Sequence, residues 1–351
     1  MVFTVFYEPL LQFFAFFFVN LLYMHRKRFI SISGFVGLLL MVGLFIGAKK
    51  IDTMGRSINY RYSNMRSPFD NKTYPVKIPD SLDFSGESVP LFDFDVVERL
   101  DRELIVNTYW HSRTILILKE MKQIGSIIRP IMKRNGLPDD FIFLAVAESG
   151  LQNDVVSPSG ATGIWQFVQG TGKNYGLQID EYVDERLNYE KATEAACKYL
   201  KESKEKFGNW TLAAASYNMG QGGLSQSIKN QKVGSYYDLY LNNETSRYIF
   251  RILALKEVMK NPQTYGFNVS SIDLYPVLKF HMVSVDSSIN NLYDFAISHG
   301  TTYKYLKVFN PWMINTSLPN PDKKIYSIKI PEPEMVSDEL EVTEPDNTPG
   351  Q

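Results

Sequence analysis

Glu148 ends a strongly apolar run, and it is the residue on which acid–base chemistry could rest. The run Phe141-Ile142-Phe143-Leu144-Ala145-Val146-Ala147-Glu148-Ser149-Gly150 follows Leu137-Pro138-Asp139-Asp140. Pro138 and the two aspartates form a helix-opening signal and Gly150 an exit. Phe141, Leu144, Ala145 and Glu148 fall at i, i+3, i+4 and i+7, so the carboxylate continues the stripe that should face the core. Desolvation raises a carboxyl pKa, and a carboxyl that is still protonated near neutrality can serve as a general acid. On this spacing alone, a helix-end glutamate turned to solvent fits equally well.

Three further groups of residues carry polar chemistry. Gly160-Ala161-Thr162-Gly163-Ile164-Trp165-Gln166-Phe167 combines glycines that allow close backbone approach with an amide able to donate and accept. Gln166, flanked by Trp and Phe, needs polar partners if buried; Trp165 suits core packing better than sugar stacking. In Ala213-Ala214-Ala215-Ser216-Tyr217-Asn218-Met219-Gly220 the small residues let another helix approach, and Tyr217 and Asn218 project hydrogen-bonding groups from the helix end. Glu244-Thr245-Ser246-Arg247-Tyr248 opens another helix, with Tyr248 one turn past the glutamate. Gly220, Gly222 and Gly223 follow a helix rather than a strand, which excludes a phosphate loop. His25, His111, His281 and His299 are too scattered for a metal cluster, and nothing in the chain calls for a cofactor.

The elements that must position these residues can be read from the whole chain. Its 351 residues hold one sizeable core and a smaller module. Lys and Arg total 37 against 38 Asp and Glu, so no net field argues for nucleic acid. The single cysteine, Cys197, excludes an intrachain disulfide. Residues 1–50 form a hydrophobic N-terminus. Within it, residues 29–48 are long enough to span a bilayer, and His25-Arg26-Lys27-Arg28 precede them. Charge places the N-terminal side in the cytoplasm and exports the rest. An uncleaved signal anchor is therefore expected, with translation starting at Met1 or Met24. Residues 51–90 read as an extended stalk. Residues 91–265 read as an all-α domain, with helical patterns over 96–135, 189–207, 210–217 and 245–259. After Pro276 comes a βααβ unit, 276–331, near the lower size limit for independent folding. The acidic, proline-bearing residues 332–351 read as a disordered tail.

The order Glu148-Ser149, Gly163-Ile164-Trp165-Gln166, Ser216-Tyr217-Asn218-Met219-Gly220 and Glu244-Thr245…Tyr248 resembles the lytic transglycosylases of the soluble, goose-type-lysozyme-like fold. Within that family, Gly-Ile-Trp-Gln and Asp184-Glu185-Arg186 point to its membrane-bound D-type branch. The βααβ unit resembles a LysM module: Asn310-Pro311-Trp312 and Ile328-Lys329-Ile330-Pro331 fit, whereas Val285-Asp286-Ser287-Ser288 departs from the usual Gly-Asp-Thr. The resemblance implies a mainly α protein: a lysozyme-like catalytic domain, then a small LysM-like domain, behind an N-terminal transmembrane anchor. It implies a periplasmic catalytic domain, anchored in the inner membrane within the cell envelope, that acts on peptidoglycan glycan strands.

The resemblance further implies that Glu148 serves as both acid and base in cleaving the MurNAc-β-1,4-GlcNAc bond, leaving 1,6-anhydro-MurNAc ends. Gln166 would bind an N-acetyl group or orient the muramyl sugar. Tyr248 would hydrogen-bond near the carboxylate, Tyr217 and Asn218 would line the cleft, and Ser149 would support the carboxylate. Asp184-Glu185-Arg186 reads as a structural ion-pair turn. Two other readings compete. A hydrolytic muramidase needs a second carboxylate across the cleft, for which Asp154, Asp180 and Asp184 are nearby in sequence. A non-catalytic peptidoglycan-binding anchor needs no Glu148.

Overall fold

The computed structural model describes residues 74–332. A short antiparallel hairpin, β1 (Asp83–Phe84) and β2 (Glu87–Ser88), leads into a helical layer. The helices are α1 (Phe94–Tyr109), α2 (His111–Arg134), α3 (Ile142–Ser149), α4 (Gln169–Asn174), α5 (Tyr189–Phe207), α6 (Trp210–Met219), α7 (Gln221–Gln231) and α8 (Asn243–Lys260). Their starts follow side-chain chemistry. Asp93, Asn188, Asn209 and Asn242 each accept a backbone N–H in the first turn of α1, α5, α6 and α8 respectively.

α3 opens through a single 3-10 turn at Asp139–Phe141 and stops at Gly150, whose φ is +66°. Every residue from Ile142 to Ala147 is buried. The helix is therefore surrounded on all sides, chiefly by α8 and α2, rather than facing the core along one stripe. That position brings its C-terminal glutamate to the edge of the core.

The segment expected as a stalk is, in its described part, built into the domain. Val76, Ile78 and Leu82 pack against the core, and Phe84 is fully buried with its ring 5.2 Å from that of Phe141. Two ionic contacts fasten the hairpin. Lys256 Nζ, 5% exposed, donates to Asp140 Oδ2 at 2.6 Å and to the Asp83 carbonyl at 2.7 Å. Glu87 accepts from the backbone N–H groups of Trp210 (2.5 Å) and Thr211 (2.8 Å), neutralising the amino end of α6. Polar residues with little periodicity conceal such a segment, because its burial rests on a few apolar side chains and on partners more than a hundred residues away. The helix α7 likewise gives little helical signal in the sequence, since Gly222 and Gly223 depress helix propensity.

The second unit pairs β3 (Phe280–Val285) with β4 (Tyr326–Pro331) in antiparallel register, Val283 opposite Ile328. Between them lie α9 (Leu292–Ser298) and α10 (Tyr303–Phe309). Its core of Leu292, Leu306, Trp312, Met313, Leu318, Ile328 and Ile330 includes Val183 from the helical domain, 1% exposed. Backbone bonds run from Asp184 N to Trp312 O (2.9 Å) and from Ile314 N to Tyr182 O (3.0 Å), and Lys329 Nζ lies 2.6 Å from Glu190. A unit of this size gains a borrowed apolar residue and an ionic clasp, which explains the docking physically.

The expected anchor at 29–48, the rest of the hydrophobic N-terminus, the start of the expected stalk and the acidic tail beyond Glu332 lie outside the described residues. Among the described residues no helix is long and apolar enough to cross a membrane.

Candidate active site

Glu148 stands at the last turn of α3, where its side chain keeps partial access to solvent while protein surrounds it on the remaining sides. The hydroxyl of Tyr248, itself 1% exposed, donates to Glu148 Oε1 across a hundred residues of chain. Desolvation is the largest influence on this carboxyl and raises its pKa. The Tyr248 hydrogen bond and the Arg251 charge pull it down, the Glu244 charge pushes it up, and the result is a pKa of about 7. Burial and the adjacent Glu148 push the Tyr248 and Tyr217 phenols well above their ordinary range, so both stay protonated and act as donors.

α6 and α8 bring the other residues to this carboxylate. Tyr217 Oη donates to the Trp165 carbonyl at 2.7 Å and sits close enough for Glu148 to perturb it. Asn218 ties the two helices together: its amide N donates to Glu244 at 3.2 Å and its amide O accepts from Thr245 Oγ1 at 2.8 Å. Gln166 lies in the facing loop, with Nε2 donating to the carbonyls of Val155 (3.0 Å) and Gly163 (2.9 Å). Those bonds use both amide hydrogens and leave Oε1 as an acceptor. The φ of Gln166 is +48°, a costly conformation for a non-glycine residue that the loop must hold in place.

The loop is held by Arg186, which pairs with Asp184 through Nε to Oδ1 at 2.9 Å and Nη2 to Oδ2 at 2.7 Å. Its remaining nitrogen, Nη1, donates to the Gly160 carbonyl at 2.8 Å and the Phe167 carbonyl at 3.2 Å. A Cβ on Gly163, whose φ is +81°, would stand 2.1 Å from the Arg186 carbonyl, so only glycine fits there. The Asp184-Glu185-Arg186 turn thus positions the loop. Trp165 is fully buried and donates from Nε1 to Thr193 Oγ1 at 2.9 Å, which is a packing role.

Ser149 departs from the expectation that it supports the carboxylate. Its hydroxyl hydrogen-bonds to the Ile164 carbonyl (3.0 Å) and the Ala145 carbonyl (3.2 Å), tying α3 to the loop instead. A serine at a helix end reaches backbone acceptors within a turn more readily than a neighbouring carboxylate directed outward.

Two of the aspartates near Glu148 in sequence are engaged elsewhere: Asp184 is clamped by Arg186, and Asp180 accepts the N–H groups of Tyr182 and Val183. The carboxylate that does act on Glu148 is Glu244. Glu244 at i−4 and Arg251 at i+3 share a helical face with Tyr248, and that spacing is the sequence signal for the charges that Glu148 feels. Among the described residues no group of three or more His, Cys, Asp or Glu could hold a metal ion.

Residues 126–239 match the transglycosylase SLT domain, and residues 281–334 match the soluble lytic transglycosylase C-terminal LysM-like domain. Among the described residues the chain is mainly helical in the region that matches the SLT domain, and the region that matches the LysM-like domain is small and contains the strand pair β3 and β4. Among curated proteins it is similar to membrane-bound lytic murein transglycosylase D of Escherichia coli K12, 29% identical over 280 residues. That match covers 77% of this chain and 60% of the relative, so the chain spans less than two thirds of that protein's length. Among solved structures, the 70 kDa soluble lytic transglycosylase of Escherichia coli overlaps with a TM-score of 0.34 at 21% identity, over 43% of this chain and 26% of that one. An inactive variant of lytic transglycosylase Slt from Pseudomonas aeruginosa gives 0.33 at 21% identity, over 44% and 26%.

Proposed function

We propose that this chain is a peptidoglycan lytic transglycosylase, cutting the MurNAc-β-1,4-GlcNAc bond without water. The observation that carries the reading is the Glu148 carboxyl: nearly enclosed, bonded by the Tyr248 hydroxyl and pushed to a pKa of about 7. At that pKa one group can give a proton and take one back at neutral pH. Glu148 protonates the glycosidic oxygen as the C1–O bond breaks, and the freed GlcNAc leaves with a 4-hydroxyl. The resulting carboxylate then takes the proton of the muramyl 6-hydroxyl as O6 closes onto C1. The product is a 1,6-anhydro ring, and Glu148 is restored to its starting state.

Tyr248 orients the carboxyl, the Gln166 oxygen accepts from an N-acetyl N–H, and Tyr217 and Asn218 line the cleft wall. Ser149 contributes by holding the loop. Residues 29–48 anchor the chain in the inner membrane and place the domain in the periplasm, consistent with the membrane-bound relative. A hydrolytic muramidase is the second reading, favoured by the Glu244 charge beside Glu148. Asn218 and the start of α8 hold Glu244, which would then activate a water.

Mass spectrometry of muropeptides released from sacculi by the full chain distinguishes the two. Products one water lighter than the reducing-end forms, absent with Glu148→Gln, are expected. Reducing-end products would move the reading to hydrolysis, and no release with intact sacculus binding would replace catalysis with wall binding.

A further inference from the structure

Close to Glu148 lie two arginines without an acidic partner. Arg251 follows Tyr248 by three residues on α8, and Arg113 lies in the first turn of α2. Among the described residues neither makes an ion pair or a hydrogen bond, though both keep partial access to solvent. The contrast with Arg247, four residues before Arg251, is informative: its guanidinium is 2.6 Å from the buried Glu103. The Arg113 guanidinium carbon lies 4.7 Å from the ring centroid of the half-exposed Trp110, and its Nε would stand 3.8 Å from a Cβ placed on Gly150, two residues past Glu148. A cation stacked on an aromatic face keeps its in-plane N–H groups free for an acceptor. The two guanidinium groups also repel each other, and burial and Arg251 together lower the Arg113 pKa. Two like charges kept together, half out of water and unpaired, leave an electrostatic deficit that an anion would fill.

We propose that Arg113 and Arg251 form an anion subsite beside Glu148 that takes a carboxylate of the peptide stem carried by the muramyl sugar. This rests on the peptidoglycan reading above and adds that the preferred substrate is peptide-substituted glycan. Arg113 supplies the planar, ring-stacked half of the site. Arg251 links it to the catalytic carboxyl, since its charge acts on Glu148 as well. The ligand is a carboxylate attached to the sugar through its lactyl group, so binding it also positions the neighbouring glycosidic bond over Glu148.

The test uses two defined tetrasaccharides of alternating GlcNAc and MurNAc, one bearing the stem peptide and one whose lactyl group ends in a neutral methylamide. The full chain should cleave both to anhydro products and favour the peptide-bearing one. Arg113→Met should lose about tenfold in rate on the peptide-bearing substrate, the worth of a charged hydrogen bond, with no change on the methylamide. Arg113→Lys should recover part of that loss, which a role in folding alone would not predict. Equal loss on both substrates, or none on either, overturns the subsite while leaving the transglycosylase reading intact. Failure of the unaltered chain to form anhydro products from either would overturn that reading instead.

Discussion

Glu148→Gln should stop turnover and at the same time stabilise the protein, by an amount that depends on pH. The amide keeps the shape of the carboxyl, and its oxygen can accept the Tyr248 hydroxyl just as Glu148 Oε1 does. What disappears is a proton donor and a charge that is costly to bury. In the folded protein the carboxyl titrates near 7, against an ordinary value of 4.5. Below the lower value it is neutral in both folded and unfolded chains, and no penalty exists. Between the two values the folded state holds a proton that the unfolded chain has released, so stability falls as pH rises. Above about 7 the full penalty is present. At about 1.4 kcal/mol per pKa unit the shift amounts to at most about 3.5 kcal/mol, reduced toward about 3 by the hydration that the partly open carboxylate retains.

Urea unfolding of both proteins at about pH 4.5, 6 and 8.5 reads this directly. The variant should match the unaltered chain at the lowest pH and exceed it most at the highest, by roughly 6–12 °C if read as a melting temperature. Activity should drop by about 10²–10⁴-fold at every pH. A stability gap that does not change with pH would refute the desolvation account of Glu148, even if activity were lost.

Tyr248→Phe removes the hydrogen bond that lowers the Glu148 pKa, so the alkaline limb of the pH–rate profile should move to higher pH, with turnover down about tenfold or more; an unmoved limb would count against the contact. Gly163→Ala puts a methyl 2.1 Å from the Arg186 carbonyl at a positive φ. It should cost roughly 2–3 kcal/mol by urea titration, and a loss under about 0.5 kcal/mol would show that the loop can shift. Lys256→Met leaves Asp140 with Lys260 as its remaining cation, 3.2 Å away and half exposed. A loss near about 3 kcal/mol is expected, with the hairpin carrying Phe84 becoming sensitive to proteolysis first. A midpoint equal to that of the unaltered chain would mean the hairpin is held by packing alone.

Local pattern alone made much of this protein legible. Pro138, the two aspartates and Gly150 bounded the helix that carries Glu148, because caps and stops act within one turn. The motifs at Glu148, Gly163–Gln166 and Ser216–Gly220 fall inside the region 126–239 that matches the SLT domain, and the alternation in 279–285 and 324–330 located the paired strands to within a residue or two, because side-chain period is a property of the chain itself. Tertiary structure decided the rest. A helix apolar on all sides gives no face from which to read which way Glu148 points; that depended on Tyr248, a hundred residues away. Sequence could not reveal that Ser149 turns to the Ile164 carbonyl, and it could place Glu244 and Arg251 on one helical face with Tyr248 without showing that this face meets Glu148. Nor could it reveal that Val183 completes the core of the LysM-like domain or that Phe84 completes that of the helical one. Electrostatic and packing energies depend on distance in space. Chain pattern reports only neighbours within a few residues, so contacts that close across long separations emerge when the fold does.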